Sequence, residues 1–292
     1  MKRKLSVIVL VLMMMLGFAI LLYPKVSNWL AERNQMKTIQ NLHKAVEQFN
    51  EEELESERNK AIEYNNSLQS IQINDPFGDE SDMPVPELYN EILDFGNGVM
   101  AELAIPCIGV NLPIYHGTDA KVLERGVGHM YQTSFPIGGE GFHSVLSGHT
   151  GLPSVELLTD LEKLKIGDHF YIKILNDTLA YQVDSVIVAE PYDTSALQPI
   201  EGKDYVTLVT CTPYGINTHR LLVRGVRVPY TPDEETNGSY TISNIIEPGA
   251  ISWWVVGGAI GGIALLILII IILAFKKDKK DKKNKGEEQS ET

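Results

Sequence analysis

Cysteine is almost absent from this sequence. Only Cys107 and Cys211 occur in 292 residues. A secreted domain that relied on disulfides would carry more. A single Cys107–Cys211 bridge would demand specific geometry and would consume both thiols. Metal-ligand clusters are lacking as well, since no His/Cys spacing has the pattern of a zinc site. No glycine-rich loop has the form of a nucleotide cradle. The sequence therefore predicts no metal and no cofactor. Positive charge is scarce. The net charge of −13 argues against nucleic acid as a partner.

Apolar sequence is abundant and sits in two blocks. Residues 5–23 run about 19 positions without a charge behind Lys2, Arg3 and Lys4. Residues 253–275 run about 23 positions without a charge ahead of Lys276 and Lys277. Each is long enough to cross ~30 Å of hydrocarbon. Trp253 and Trp254 stand where a membrane-interface aromatic would lie. The first block has a long apolar core and no clear small-x-small cleavage site, so it reads as an uncleaved anchor and not as a signal peptide. Basic residues flank both blocks on their outer ends. The positive-inside tendency then places residues 1–4 and the tail 276–292 in the cytoplasm and the chain between the anchors outside. Gly257, Gly258, Gly261 and Gly262 give the second block a small-residue face that can pack another helix.

Between the anchors the pattern changes three times. Residues 24–70 are helical in character, with Trp29, Met36, Ile39, Leu42, Val46 and Phe49 at helical spacing. Asn50 and Glu53 have the spacing of a capping box, which predicts a second helix through Leu54 and Ala61. His43 reads as a surface residue on the polar face. Residues 71–87 hold turn formers and acids, Asn74-Asp75-Pro76-Phe77-Gly78 followed by Asp79, Glu80 and Asp82, and by composition form an exposed loop. Residues 88–230 read as short strands and turns. Strands are predicted at 100–108, 112–115, 142–146, 169–175, 179–190, 205–210 and 221–228. Short helices are predicted at 155–164, where Leu157, Leu158, Leu161 and Leu164 share a face, and at 119–124. Seven or eight short strands with little helix make a mainly β domain, a closed or nearly closed barrel. Residues 231–251 read as a linker to the second membrane block, residues 252–275.

The chemistry concentrates at residues 205–228. Two strand-like runs flank Pro213, Gly215 and Asn217, which are turn formers. A hairpin brings Cys211, at the end of the first run, beside Arg220, at the start of the second. A thiol next to a guanidinium at the mouth of a rigid scaffold is a nucleophile beside an oxyanion partner. The competing reading is a small buried apolar residue, which is what free cysteine usually is. A nucleophilic thiol also needs a partner that takes and returns its proton, a role for histidine near neutral pH. Seven histidines are present. His169 reads as packing or surface, His129 and His143 sit in or beside turns, and His116 ends a strand as a candidate supporting residue. His219 adjoins Arg220. His149 lies in a glycine-shaped Ser-Gly-His-Thr-Gly turn after a strand. From the residues alone His149 and His219 are equally good.

Thr207-Leu208-Val209-Thr210-Cys211 followed by Arg220, together with Leu146-Ser147-Gly148-His149-Thr150-Gly151, resembles the motif pair of the sortases, cysteine transpeptidases of Gram-positive bacterial surfaces. The resemblance spans residues 71–228 and implies the eight-stranded sortase barrel. It places the acid and base at His149, with Cys211 as nucleophile and Arg220 as the cation that holds substrate or oxyanion. The helices before the barrel, the second membrane block and Asp75-Pro76-Phe77 resemble the pilus-building kind, class C. That likeness implies cleavage of a Leu-Pro-x-Thr-Gly-like sorting motif between Thr and Gly and transfer to a Lys amine of a pilin subunit. It also implies a lid at 71–87, in which Asp75 pairs with Arg220, Phe77 covers Cys211 and Pro76 keeps the backbone extended. Such a pair is expected to be partly exposed and to contribute about 1 kcal/mol. Two other readings stay open: a housekeeping sortase that attaches proteins to cell-wall peptide, and a non-enzymatic, membrane-tethered barrel with a buried thiol.

Overall fold

The computed structural model describes residues 2–68, 73, 75, 77 and 85–232. The rest of the expected lid loop, the linker from residue 233, the second apolar block with its glycines, and the basic tail lie outside the described residues. Helix α1 runs Lys2–Val46 without interruption, through Pro24. The part of α1 up to Val26 belongs to one unit of the chain, and the part from Ser27 belongs to a second unit with the barrel. In the first unit, Leu12, Met13, Leu16, Ile20 and Leu21 are all exposed. By length and composition this is the one helix among the described residues able to cross a membrane.

Helix α2, Glu51–Ser67, starts at the expected capping box. Asn50 Oδ1 accepts from the Glu53 amide at 2.9 Å, and Glu53 Oε2 accepts from the Asn50 amide at 2.9 Å. Both helices pack their apolar stripes inward. Leu42 and Val46 of α1 and Leu54 of α2 bury against Val99, Tyr115 and Val122 of the β domain.

That domain is a closed barrel of eight strands: β1 Val99–Ile105, β2 Val110–His116, β3 Val127–His129, β4 His143–Ser147, β5 His169–Ile174, β6 Asp177–Ala189, β7 Tyr205–Thr212 and β8 His219–Val228. The order around the barrel is β1-β2-β3-β4-β7-β8-β6-β5. Pairs β2–β3 and β4–β7 are parallel, and the remaining neighbours are antiparallel. The interior is filled by Met100, Leu103, Ile114, Leu146, Phe170, Tyr181, Leu208 and their neighbours, all essentially buried. Closure leaves no sheet edge to be protected.

Two expectations are corrected. Strand β3 was not anticipated, and His129, read as a turn residue, lies in it fully buried. Gly128 explains both: a Cβ there would stand 2.2 Å from the Gly117 carbonyl oxygen, so close packing selects a residue with low strand propensity. The helix expected at 155–164 is only a 3-10 turn, Thr159–Lys163. The Leu158 amide donates to the His149 carbonyl at 3.1 Å and Leu157 has φ of +22°, so tertiary contact overrides the leucine periodicity, although all four leucines are buried. His43 is exposed, as expected, and it also makes a contact. Its Nε2 lies 2.7 Å from Oε2 of Glu102, which is only 2% exposed. Glu102 sits opposite Lys173 in the β1–β5 ladder, so this carboxylate joins α1, β1 and β5.

Candidate active site

The site forms where β4 and β7 end and β8 begins. Cys211 and Arg220 are register partners across β7 and β8, so their side chains leave the sheet on the same face. His219, one residue away, pairs with Thr212 instead. Successive strand residues point to opposite faces, which directs His219 away from the thiol. It is half-buried, and its Nε2 lies 3.3 Å from Glu190 Oε1. The loop between the two strands is exposed from residue 213 to 218, so the site opens to solvent on that side.

His149 follows β4 after one residue, Gly148. The parallel β4–β7 ladder continues one residue past the strand, with the Gly148 amide donating to the Val209 carbonyl at 3.0 Å. The Thr210 hydroxyl donates to the Gly148 carbonyl at 2.7 Å. The loop is pinned further by Leu158 N–H to His149 O and by the Gly151 amide to Thr159 Oγ1 at 3.2 Å. His149 and Cys211 are both half-buried.

Asp75 and Phe77 lie against this group. The Arg220 guanidinium donates to Asp75 twice, Nε to Oδ1 at 2.8 Å and Nη2 to Oδ2 at 2.6 Å. The Phe77 ring is 5.7 Å from the His149 ring and 5.1 Å from the Arg220 guanidinium carbon. The side chains of Arg220 and Asp75 are 11% and 7% exposed. The expectation of a partly exposed pair is therefore corrected: Phe77 lies over the guanidinium and the pair is buried. Ile73, two residues before Asp75, is buried with Leu197, Val209 and Leu222, and its carbonyl accepts from Thr194 Oγ1 at 3.0 Å. Sequence reasoning singled out neither Thr194 nor the Thr210 hydroxyl bond, because both depend on contacts distant in the chain.

Burial sets the electrostatics. It pushes the Cys211 thiol up; the Arg220 charge opposes this and the Asp75 charge adds to it. It pushes His149 down, against a weaker pull from Glu124. Both directions favour a neutral thiol beside a neutral imidazole while Asp75 is in place. Three other histidines are engaged elsewhere. His129 bonds the Tyr89 hydroxyl and the Ser134 carbonyl and is pushed by burial to about 3. His143 bonds the Gln198 carbonyl and the Thr207 hydroxyl and is pushed by burial to about 4. His116, read as a supporting residue, instead contacts the Ile92 and Gly98 carbonyls in an aromatic cluster with Tyr89 and Phe135.

Both thiols are free. Cys107 follows β1, and β1 and β7 are not neighbours in the barrel, so a bridge between the two cysteines has no geometric basis. Among the described residues no group of three or more His, Cys, Asp or Glu is arranged to hold a metal ion.

A family model described as the sortase domain matches residues 103–228. The chain is 43% identical to sortase C-1 from Streptococcus pneumoniae, covering 67% of this chain and 100% of that one, with a TM-score of 0.63. It is 41% identical to a pilus-related sortase C of group B Streptococcus, covering 65% of this chain and 97% of that one, with a TM-score of 0.61. Sortase D of Bacillus subtilis is 32% identical over 129 residues, 43% of this chain and 62% of that protein, so the match spans less than two thirds of that relative. The chain belongs to the sortase family of cysteine transpeptidases.

Proposed function

We propose that the chain is a membrane-anchored sortase of the pilus-building class, with Cys211, His149 and Arg220 as its reactive group. The register pairing of Cys211 with Arg220, beside a histidine loop bonded to the same strand, carries this reading. The Cys211 thiol passes its proton to His149, and the resulting thiolate attacks the carbonyl carbon of the Thr–Gly bond in a Leu-Pro-x-Thr-Gly-like motif. Arg220 donates hydrogen bonds to the resulting oxyanion or to the neighbouring substrate carbonyl. Collapse breaks the C–N bond, and His149 gives its proton to the leaving amine. A thioester remains on Cys211. A Lys ε-amine of a pilin subunit then attacks the thioester, His149 accepts the amine proton, the thiolate leaves, and an isopeptide bond results. The likeness to a pilus-related sortase C of group B Streptococcus supports the choice of acceptor.

In this reading Asp75 and Phe77 form a lid. The Asp75 carboxylate occupies the donors that Arg220 offers to substrate, and Phe77 covers the reactive group from solvent. The barrel faces the cell exterior and both termini lie in the cytoplasm. The apolar start of α1 supports the first anchor, and the second rests on the sequence of residues 252–275.

The test uses the full-length chain in detergent micelles with a sorting peptide. Mass spectrometry of the quenched reaction is expected to find the acyl group on Cys211 and none in Cys211→Ala, whose circular dichroism matches the parent. Peptide cleavage at the parental rate by Cys211→Ala would remove the assignment. Offering a pilin Lys and a wall-peptide amine together separates the pilus reading from the housekeeping one.

A further inference from the structure

The His149 ring is not held by its own nitrogens: among the described residues no hydrogen bond to it is formed, and its one ring contact is Phe77. When substrate displaces Phe77 that contact is lost too. The position of the imidazole then follows from its backbone alone. That backbone is tied to β7 from both sides of one residue. Gly148 donates through its amide to Val209 and accepts through its carbonyl from the Thr210 hydroxyl. Gly148 immediately precedes His149, and Thr210 immediately precedes Cys211. The hydroxyl bond thus ties the peptide unit that leads into His149 to the side chain of the residue that precedes Cys211.

Thr210 is 2% exposed, and on a strand its side chain lies on the face opposite that of Cys211. Its hydroxyl is committed to Gly148 at 2.7 Å. Strand propensity and packing at this position are served equally well by valine, which has the same shape. A buried hydroxyl carries a desolvation penalty unless it is bonded. What the hydroxyl adds over a methyl group is the bond to the histidine loop. We propose that Thr210 is a positioning residue, which sets the place of the His149 imidazole relative to the Cys211 thiol by fixing the Gly148 carbonyl. The proposal rests on the reading of Cys211 and His149 as the reactive pair.

The experiment compares full-length parent, Thr210→Val, Thr210→Ser and Cys211→Ala in detergent micelles. Acylation by a Leu-Pro-x-Thr-Gly peptide is followed as kcat and KM across the pH range in which cysteine and histidine titrate, and thermal midpoints are recorded alongside. A misplaced partner slows chemistry more than binding. Thr210→Val is expected to lower kcat roughly ten- to hundredfold, leave KM unchanged, and displace the limb of the pH profile that His149 governs. Thr210→Ser, which keeps the hydroxyl, recovers most of the rate and the parental profile. A valine variant with parental kcat and pH profile overturns the proposal whatever its thermal midpoint. So does a serine variant no better than valine. Should the valine chain fail to fold, Thr210→Ala against Thr210→Ser carries the same comparison. Cleavage that survives Cys211→Ala would instead remove the underlying catalytic reading.

Discussion

Arg220 and Asp75 meet through two parallel hydrogen bonds, at 2.8 and 2.6 Å, although 145 residues of chain separate them. The guanidinium is the group proposed to hold the oxyanion, so in this state the protein supplies a carboxylate to its own anion site. Removing a partner from a buried pair usually leaves a charge stranded in the interior. Here the covering residue is Phe77, which sits on the same short segment as Asp75. Loss of the pair can therefore be answered by release of the segment, after which Arg220 meets water, without unfolding of the barrel.

Asp75→Ala combined with Phe77→Ala should then expose the thiol and leave the fold intact. Alkylation of Cys211 is expected to run about tenfold faster or more, the factor that ~1.4 kcal/mol of lost contact corresponds to. Cleavage of small sorting peptides should rise with it, and the thermal midpoint should change little. Equal alkylation rates in parent and double variant would mean that the segment does not guard this site.

A milder change separates charge from cover. In Asp75→Asn the side chain keeps its size and loses the charge that helps hold the Cys211 thiol up. The thiolate should form at lower pH, because the negative neighbour is gone and Arg220 is no longer neutralised. The alkylation rate plotted against pH is expected to move to the acid side of the parent curve. An unmoved curve would show that burial alone sets the thiol.

Much of this was legible in sequence, for identifiable reasons. Strands such as β6 and β8 announce themselves because their β-branched residues alternate over many positions. The capping box at Asn50 is purely local, and so it was read correctly. What stayed hidden depends on contacts between distant segments. Gly128 and His129 form a strand only because β2 lies alongside, and 3.6-residue periodicity at Leu157 to Leu164 marks burial without helix. From residues alone His149 and His219 were level. The hairpin that sets Arg220 beside Cys211 was read from the sequence, but the choice between the histidines needed the register itself, which puts His219 opposite Thr212.

The contact of Glu102 with His43 and Lys173 predicts how stability responds to acid. Burial disfavours ionisation of Glu102, but the His43 contact and the Lys173 charge outweigh it and hold the carboxyl below its ordinary 4.5. A depressed folded value contributes stability above the unfolded value, and that contribution disappears as pH falls through the folded one. Thermal midpoints of the parent should therefore drop as pH is lowered below about 4.5. Glu102→Gln should be less stable near neutrality, by about 1–3 kcal/mol, and flatter in acid. Parallel midpoint curves for the two proteins would exclude Glu102 as the titrating group.

Gly148 offers the sharpest steric prediction. It is buried at the end of β4, and both its polar backbone groups are committed to β7. A Cβ on this residue would stand 2.7 Å from Cδ1 and 2.8 Å from Cγ of Leu158, which is fully buried. Real carbon contacts are wider, near 3.5–4.0 Å. Gly148→Ala must therefore displace Leu158 within a packed interior or lift the loop that carries His149. Overpacking of this kind is destabilising by about 1–3 kcal/mol, and displacement of the loop should slow acylation as well. Leu158→Ala alone leaves a cavity and is destabilising by about 2–5 kcal/mol. Combined, the two changes occupy the same space, because the new methyl enters room vacated by the leucine. The double variant should lose less stability than the two single losses added together, by about 0.5–3 kcal/mol, and should regain part of the acylation rate. Chemical denaturation of the four proteins measures the coupling. Strict additivity would show that Gly148 is not packed on Leu158 and that the histidine loop is held by its hydrogen bonds alone.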